Sequence, residues 1–149
     1  MENKRIWTIE IPVGSGAPYS QIRFRQRSAG FEEKPYPVIM VDAERFITCC
    51  QHPAIPEYVP EVPLWEKQRL AKVIANLSGH GRIPEMPIAV IKRQADGLYG
   101  VEFTNGRHRS RLMHYWGVKS FPVEVDWSCA VLMAQVCGLN TPTAEGNPK

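Results

Sequence analysis

Val101-Glu102-Phe103-Thr104-Asn105-Gly106-Arg107-His108-Arg109-Ser110-Arg111-Leu112-Met113-His114-Tyr115-Trp116-Gly117, followed by Phe121-Pro122-Val123-Glu124-Val125, is the stretch on which the reading of this chain turns. Residues 98–103 have the pattern of a strand, and Asn105-Gly106 that of a turn opening a helix. Arg107 to Trp116 form that helix, and Gly117 stops it. A helix start carries partial positive charge, and its first N–H groups point outward. Asp or Glu would relieve that field, whereas Arg107, His108, Arg109 and Arg111 add to it. Cations gathered at such a place make sense around an anion, most simply a phosphate.

The helix divides into three strips at i, i+4, i+7 spacing. Arg109, Met113 and Trp116 share one; His108, Leu112 and Tyr115 the next; Arg107, Arg111 and His114 the third. The first two strips set apolar residues below a polar top, and the third is basic throughout. His108 taken alone fits equally a satisfied core histidine.

Upstream, Met86 to Ile91 read as an apolar strand, turned by Ala95-Asp96-Gly97 into strand 98–103, a hairpin. Before it, Leu70, Val73, Ile74 and Leu77 lie on one face of a helix over 64–78, with Leu64 and Trp65 locking its first turn. Pro53, Pro56, Pro60 and Pro63, with apolar Ile55, Tyr58, Val59 and Val62 between them, describe a loop lying over the core. Residues 36–48 open with a buried strand, which Asp42 closes while capping a helical turn through Phe46. Cys49-Cys50-Gln51-His52 lacks the spacing of a zinc site, so these thiols are expected to be packing residues.

Residues 21–27 alternate strictly, placing Arg23, Arg25 and Arg27 on one strand face. That face reads either as solvated or as a surface for phosphate backbone. Residues 5–13 form a first strand, and Gly14-Ser15-Gly16-Ala17-Pro18 a loop without a dinucleotide fingerprint. Downstream, residues 127–137 read as a last helix with Ser128 as N-cap and Gly138 as stop. One domain over 1–138 and a disordered tail over 139–149 follow. With 149 residues, 44% hydrophobic and 22% charged, the chain can bury a core of its own. A net charge of +3 allows an anionic ligand without announcing a DNA-binding protein. No apolar run has the length of a membrane span, and no signal-peptide pattern opens the chain. Four cysteines without framework spacing fit a reducing cytoplasm.

The strand–Asn105-Gly106-Arg107-His108-Arg109–helix–Gly117–Phe121-Pro122-Val123-Glu124-Val125 pattern resembles the ParB/sulfiredoxin superfamily. That family carries a Gly-x-[His/Arg]-Arg box at a helix start after a strand. Within it, the chain looks most like plasmid fertility-inhibition factors, of the type called Osa or FiwA. The resemblance covers roughly residues 64–126 and implies an α+β fold, a mixed β-sheet with helices packed on it. It implies that Gly106, Arg107, His108 and Arg109 hold nucleotide phosphates. The catalytic cysteine of sulfiredoxins is replaced by Arg107, so peroxiredoxin repair is not expected. The helix-turn-helix region of chromosome-partitioning proteins is missing as well. The implied role is suppression of conjugative DNA transfer through type IV secretion, in the bacterial cytoplasm and from a plasmid, with ATPase and nonspecific DNase activity associated.

Two function classes follow. An enzyme on phosphate esters, ATP or DNA, would use cationic clamps, a divalent ion such as Mg or Mn, and a carboxylate. Asn105, Gly106, Arg107, His108, Arg109 and Arg111 would bind phosphate, with Arg23, Arg25 and Arg27 extending the contact. Glu102, Asp42 and His108 are the catalytic candidates, and no metal ligand is assigned. The alternative is a non-catalytic inhibitor docking on a relaxase, a coupling protein or a secretion ATPase.

Overall fold

A computed structural model describes residues 6–27, 35–55 and 59–139. The expected tail, apart from Leu139, lies outside these residues, as do Arg5 of the first strand and Pro56 and Tyr58 of the proline-rich loop. Two short strands come first, β1 (Ile6–Glu10) and β2 (Gln21–Arg25), paired antiparallel with Trp7 opposite Phe24 and Ile9 opposite Ile22. Strand alternation turns Ile22 and Phe24 fully inward and leaves Gln21 and Arg23 exposed.

The second sheet holds β3 (Val38–Asp42), β4 (Ile88–Arg93), β5 (Tyr99–Asn105) and β6 (Ser120–Val125) in the order β3-β6-β4-β5. It is mixed, as expected: β3 with β6 and β4 with β5 run antiparallel, and β4 with β6 runs parallel. The β4–β5 connection is the predicted hairpin, closed by Gly97 N–H to the Gln94 carbonyl at 2.9 Å. Central strand β6 is buried from Phe121 to Val125, which explains its unbroken Phe-Pro-Val character.

Helices α1 (Ala43–Cys50), α2 (Lys67–Leu77), α3 (Arg107–Tyr115) and α4 (Ala130–Cys137) complete the fold. Asp42 caps α1 by accepting the Arg45 N–H at 3.0 Å, and Phe46 then meets Phe103 and Phe121 edge-on at 5.6 and 5.7 Å. α1 packs on β5 and α3, α2 on α3, and α4 on β3. The fold class is therefore the expected one, α+β with helices on a mixed sheet.

Several local expectations need correction. The helix predicted over 64–78 begins at Lys67; residues 62–64 form a separate 3-10 turn with Pro63 in it. The Trp65 indole donates to the Pro60 carbonyl at 2.8 Å, which holds the junction extended, and Leu64 is 75% exposed rather than locking a turn. The strand predicted over 21–27 ends at Arg25, because there the backbone turns to another partner: Arg25 N–H donates to Pro84, and Met86 N–H to Arg25, at 2.9 and 3.0 Å. The last helix is split, since Asp126 accepts both the Ser128 N–H and its hydroxyl and closes a 3-10 turn ahead of α4. Ser128 is thus a donor to the cap rather than the cap. In α3, Tyr115 stands more than half exposed, whereas Leu112, Met113 and Trp116 are buried.

The start of α3 is geometrically constrained. Gly106 has φ +97°, a left-handed conformation, and a Cβ there would stand 2.8 Å from Pro87 Cα. Gly14 has φ +85° but open space where a Cβ would go. Gly14→Ala should therefore cost about 1–2 kcal/mol for backbone strain alone. Gly106→Ala should cost about 2–4 kcal/mol, because overpacking adds to that strain. Chemical denaturation measures both, and equal losses would show that the Pro87 contact is not tight.

Candidate functional site

The Gly106–Arg109 box sits at the opening of α3, the helix start that the sequence pattern predicts. Gly106 occupies the N-cap position without a capping side chain, and the first turn holds no acid. The Ser110 N–H and hydroxyl both donate to the Gly106 carbonyl at 2.9 Å, fixing the turn from below. Around it lies an open basin of about 500 Å³. Arg107, His108 and Arg109 line it from α3, Asn105 from β5, and Arg69, Lys72 and Asn76 from α2. Positive side chains from two helices thus share a hollow with the positive end of one of them.

His108 is half-buried, with its ring edge-on to Trp65 at 5.1 Å between centroids. Burial lowers its pKa below the ordinary histidine value, and the Arg69 and Arg107 charges lower it further. At neutral pH it is therefore an uncharged imidazole, able to accept a proton or a hydrogen bond. Arg109 is 8% exposed and donates to the Glu85 carbonyl. Burial lowers its pKa and the Glu85 carboxylate opposes the shift; the guanidinium keeps its charge.

Glu85 connects the box to a second basin of about 400 Å³, which shares Asn76, Asn105 and Arg109 with the first. Its carboxylate accepts from Arg25 at 3.0 Å and from the Asn105 amide at 3.3 Å. The Arg25 Nε donates to the Ile83 carbonyl at 3.0 Å, so β2 delivers this arginine to the site in a fixed orientation. Arg82 lines the same basin.

The other residues singled out from sequence are dispersed. Arg23 and Arg27 are exposed, and Arg27 lies beyond the end of β2, its N–H bonded to the buried Glu124 carboxylate at 2.7 Å. Of that trio, Arg25 alone lines a basin. Asp42 is the cap of α1, and Glu102 is half-buried opposite Val90 on β4; neither lines a basin. Arg111 is buried in a different cavity, against Gln51. The cysteines are all free thiols; Cys49 and Cys137 face each other across α1 and α4 at 3.9 Å.

Sequence reasoning missed Glu85, Arg69, Lys72, Asn76 and Arg82. The first had one signal: a lone acid between Pro84 and Pro87, directly before a strand. Arg69, Lys72 and Asn76 follow helical spacing on the polar side of α2, which also describes an ordinary solvated face.

A family model described as Plasmid Fertility inhibition factor matches residues 38–138, more than half of the 149-residue chain and every element from β3 to α4. Among solved structures, the chain is similar to the Oncogenic Suppression Activity Protein, a plasmid fertility inhibition factor crystallised as a gold(I) cyanide derivative. The two are 16% identical with a TM-score of 0.66, over 91% of this chain and 70% of that one. No curated protein matches the sequence.

The depressed pKa of His108 has a thermodynamic sign. Below the unfolded histidine value the unfolded chain binds this proton first, so stability falls as pH drops from neutrality through that window toward the folded pKa. A His108→Gln variant should lose less melting temperature than the wild type between pH 7 and pH 5.5. Equal losses in calorimetry would mean that the ring is not desolvated as described.

Proposed function

The chain belongs to the plasmid fertility inhibition factor family, and from that premise we propose that it suppresses type IV secretion-dependent transfer of plasmid DNA by binding phosphate groups, of ATP or of DNA, at the start of α3. The observation that carries this reading is the uncapped, acid-free opening of α3 in a basin shared with Arg69 and Lys72. A bound phosphate would satisfy outward N–H groups and sit among the positive side chains of the basin. Arg107 and Arg109 clamp it from α3, and Asn105 and Asn76 contribute neutral donors. The bond from Arg109 to the Glu85 carbonyl supports that role, because it fixes the guanidinium at the basin.

In a hydrolytic version, the groups at hand for moving a proton are the neutral His108 and the Glu85 carboxylate. Asp42 and Glu102 then serve the fold. A divalent ion such as Mg or Mn would find one carboxylate in the basins, Glu85, and would otherwise rely on phosphate oxygens, a common arrangement for Mg. When bound, it would neutralise phosphate charge. That single carboxylate is already engaged by Arg25 and Asn105, which favours a second reading: a non-catalytic inhibitor using the basic surface to dock on a relaxase, a coupling protein or a secretion ATPase.

Titration with a labelled oligonucleotide separates these. Affinity should fall steeply with salt, and Arg107→Ala or Lys72→Ala should each reduce the log–log slope by about 0.7 for single-stranded or 0.9 for duplex DNA. Turnover of ATP or DNA that needs Mg or Mn, stops with chelator and is lost in His108→Ala identifies the hydrolytic version. Failure to bind either nucleotide or oligonucleotide at low salt sinks the phosphate reading and leaves protein docking.

A further inference from the structure

We propose that the cavity over Arg111, between the second half of α3 and the 62–64 turn, is a docking pocket for an acidic side chain of a partner protein. The cavity has a volume of about 340 Å³ and shares no lining residue with the two basins. This inference therefore stands independently of phosphate binding at the box.

Arg111 is 7% exposed, yet its partner is neutral: the Gln51 amide oxygen, set toward the guanidinium, accepts from both terminal nitrogens at 2.6 and 2.9 Å. The Cys50 thiol also lies within electrostatic reach of Arg111; burial pushes its pKa well up, so it too is uncharged at neutral pH. Among the described residues, no carboxylate is hydrogen-bonded to Arg111, whereas Arg25 has Glu85 at 3.0 Å. Burying a cation with a neutral partner is costly unless an anion joins it, and the remaining guanidinium donors form a fork suited to a carboxylate.

The rim decides what kind of anion. Val62 and Pro63 form one wall, and Tyr115 the other, over half exposed. Leu64, at 75% exposed, continues this surface. An apolar rim over a buried guanidinium matches an Asp or Glu flanked by an apolar residue. Glu61, exposed on the cavity wall, disfavours a multiply charged free anion. His114, also on the cavity wall, is paired with Glu44 at 2.8 Å.

The test uses the full chain and a blocked Leu-Glu-Leu peptide, with Leu-Gln-Leu and inorganic phosphate as comparisons. In NMR titrations the Glu peptide should shift the Arg111 guanidinium and Tyr115 signals and bind at least about ten-fold more tightly than the Gln peptide, one order of magnitude being 1.4 kcal/mol. Arg111→Met should abolish that binding while melting at the same temperature or higher, because an apolar side chain replaces a buried charge. Glu61→Gln should strengthen the Glu peptide and leave the melt unchanged. Any of four results overturns the proposal. A lower melt for Arg111→Met makes the guanidinium structural. A lower melt for Glu61→Gln makes Glu61 its counter-ion. Equal binding of the two peptides, or none, removes the carboxylate preference. Displacement of the Glu peptide from Arg111 by phosphate makes the cavity a simple anion site.

Discussion

The candidate site is tied together at Glu85. Its carboxylate takes Arg25 from β2 and Asn105 from the end of β5, and its carbonyl takes Arg109 from the first turn of α3. Three elements distant in sequence meet on one residue of the segment entering β4. The same segment is stitched to β2 by the backbone bonds of Arg25 with Pro84 and Met86. Without this junction, Arg25 would be one more exposed arginine on a two-stranded ribbon. With it, a guanidinium from outside the central sheet is held beside the α3 box.

The opening of α3 follows from a second constraint, close packing of backbone on backbone. Gly106 lies against Pro87, directly before β4, and no side chain fits between them. That contact sets where α3 leaves β5, and hence where its outward N–H groups point. The electrostatics are consequences: Arg69 and Lys72 arrive because α2 packs on α3, and His108 is kept neutral by burial and by the charges of Arg69 and Arg107. The site is built from placement rather than from any single motif residue.

This explains which parts could be read from the residues. The 3.6-residue period of Leu112, Met113 and Trp116, the Asp96-Gly97 turn and the apolar run in β6 are local signals. The order strand, hairpin, strand, helix, strand followed from them. The dipole argument at Arg107 to Arg109 was local too. Glu85 was not legible, because its importance lies in contacts 20, 24 and 60 residues away. Helical spacing placed Arg111 on a basic strip, but its burial depends on how α1 and α3 pack. The end of β2 was missed for a similar reason, since its alternation continues while its partner changes. Periodicity reports which residues share a face; it does not report what that face meets.

Family membership and this geometry meet in the proposal that the opening of α3 binds an anion and that inhibition of plasmid transfer works through it. The most direct measurement is an amide and guanidinium NMR titration with sulfate, whose charge is constant across neutral pH. The account predicts saturable shifts concentrated on the backbone N–H groups of Arg107, His108 and Arg109 and on the Arg109 guanidinium, all lost in a Gly106→Ala protein that remains folded. Shifts spread evenly over surface lysines and arginines without saturation, or unchanged by Gly106→Ala, would contradict it.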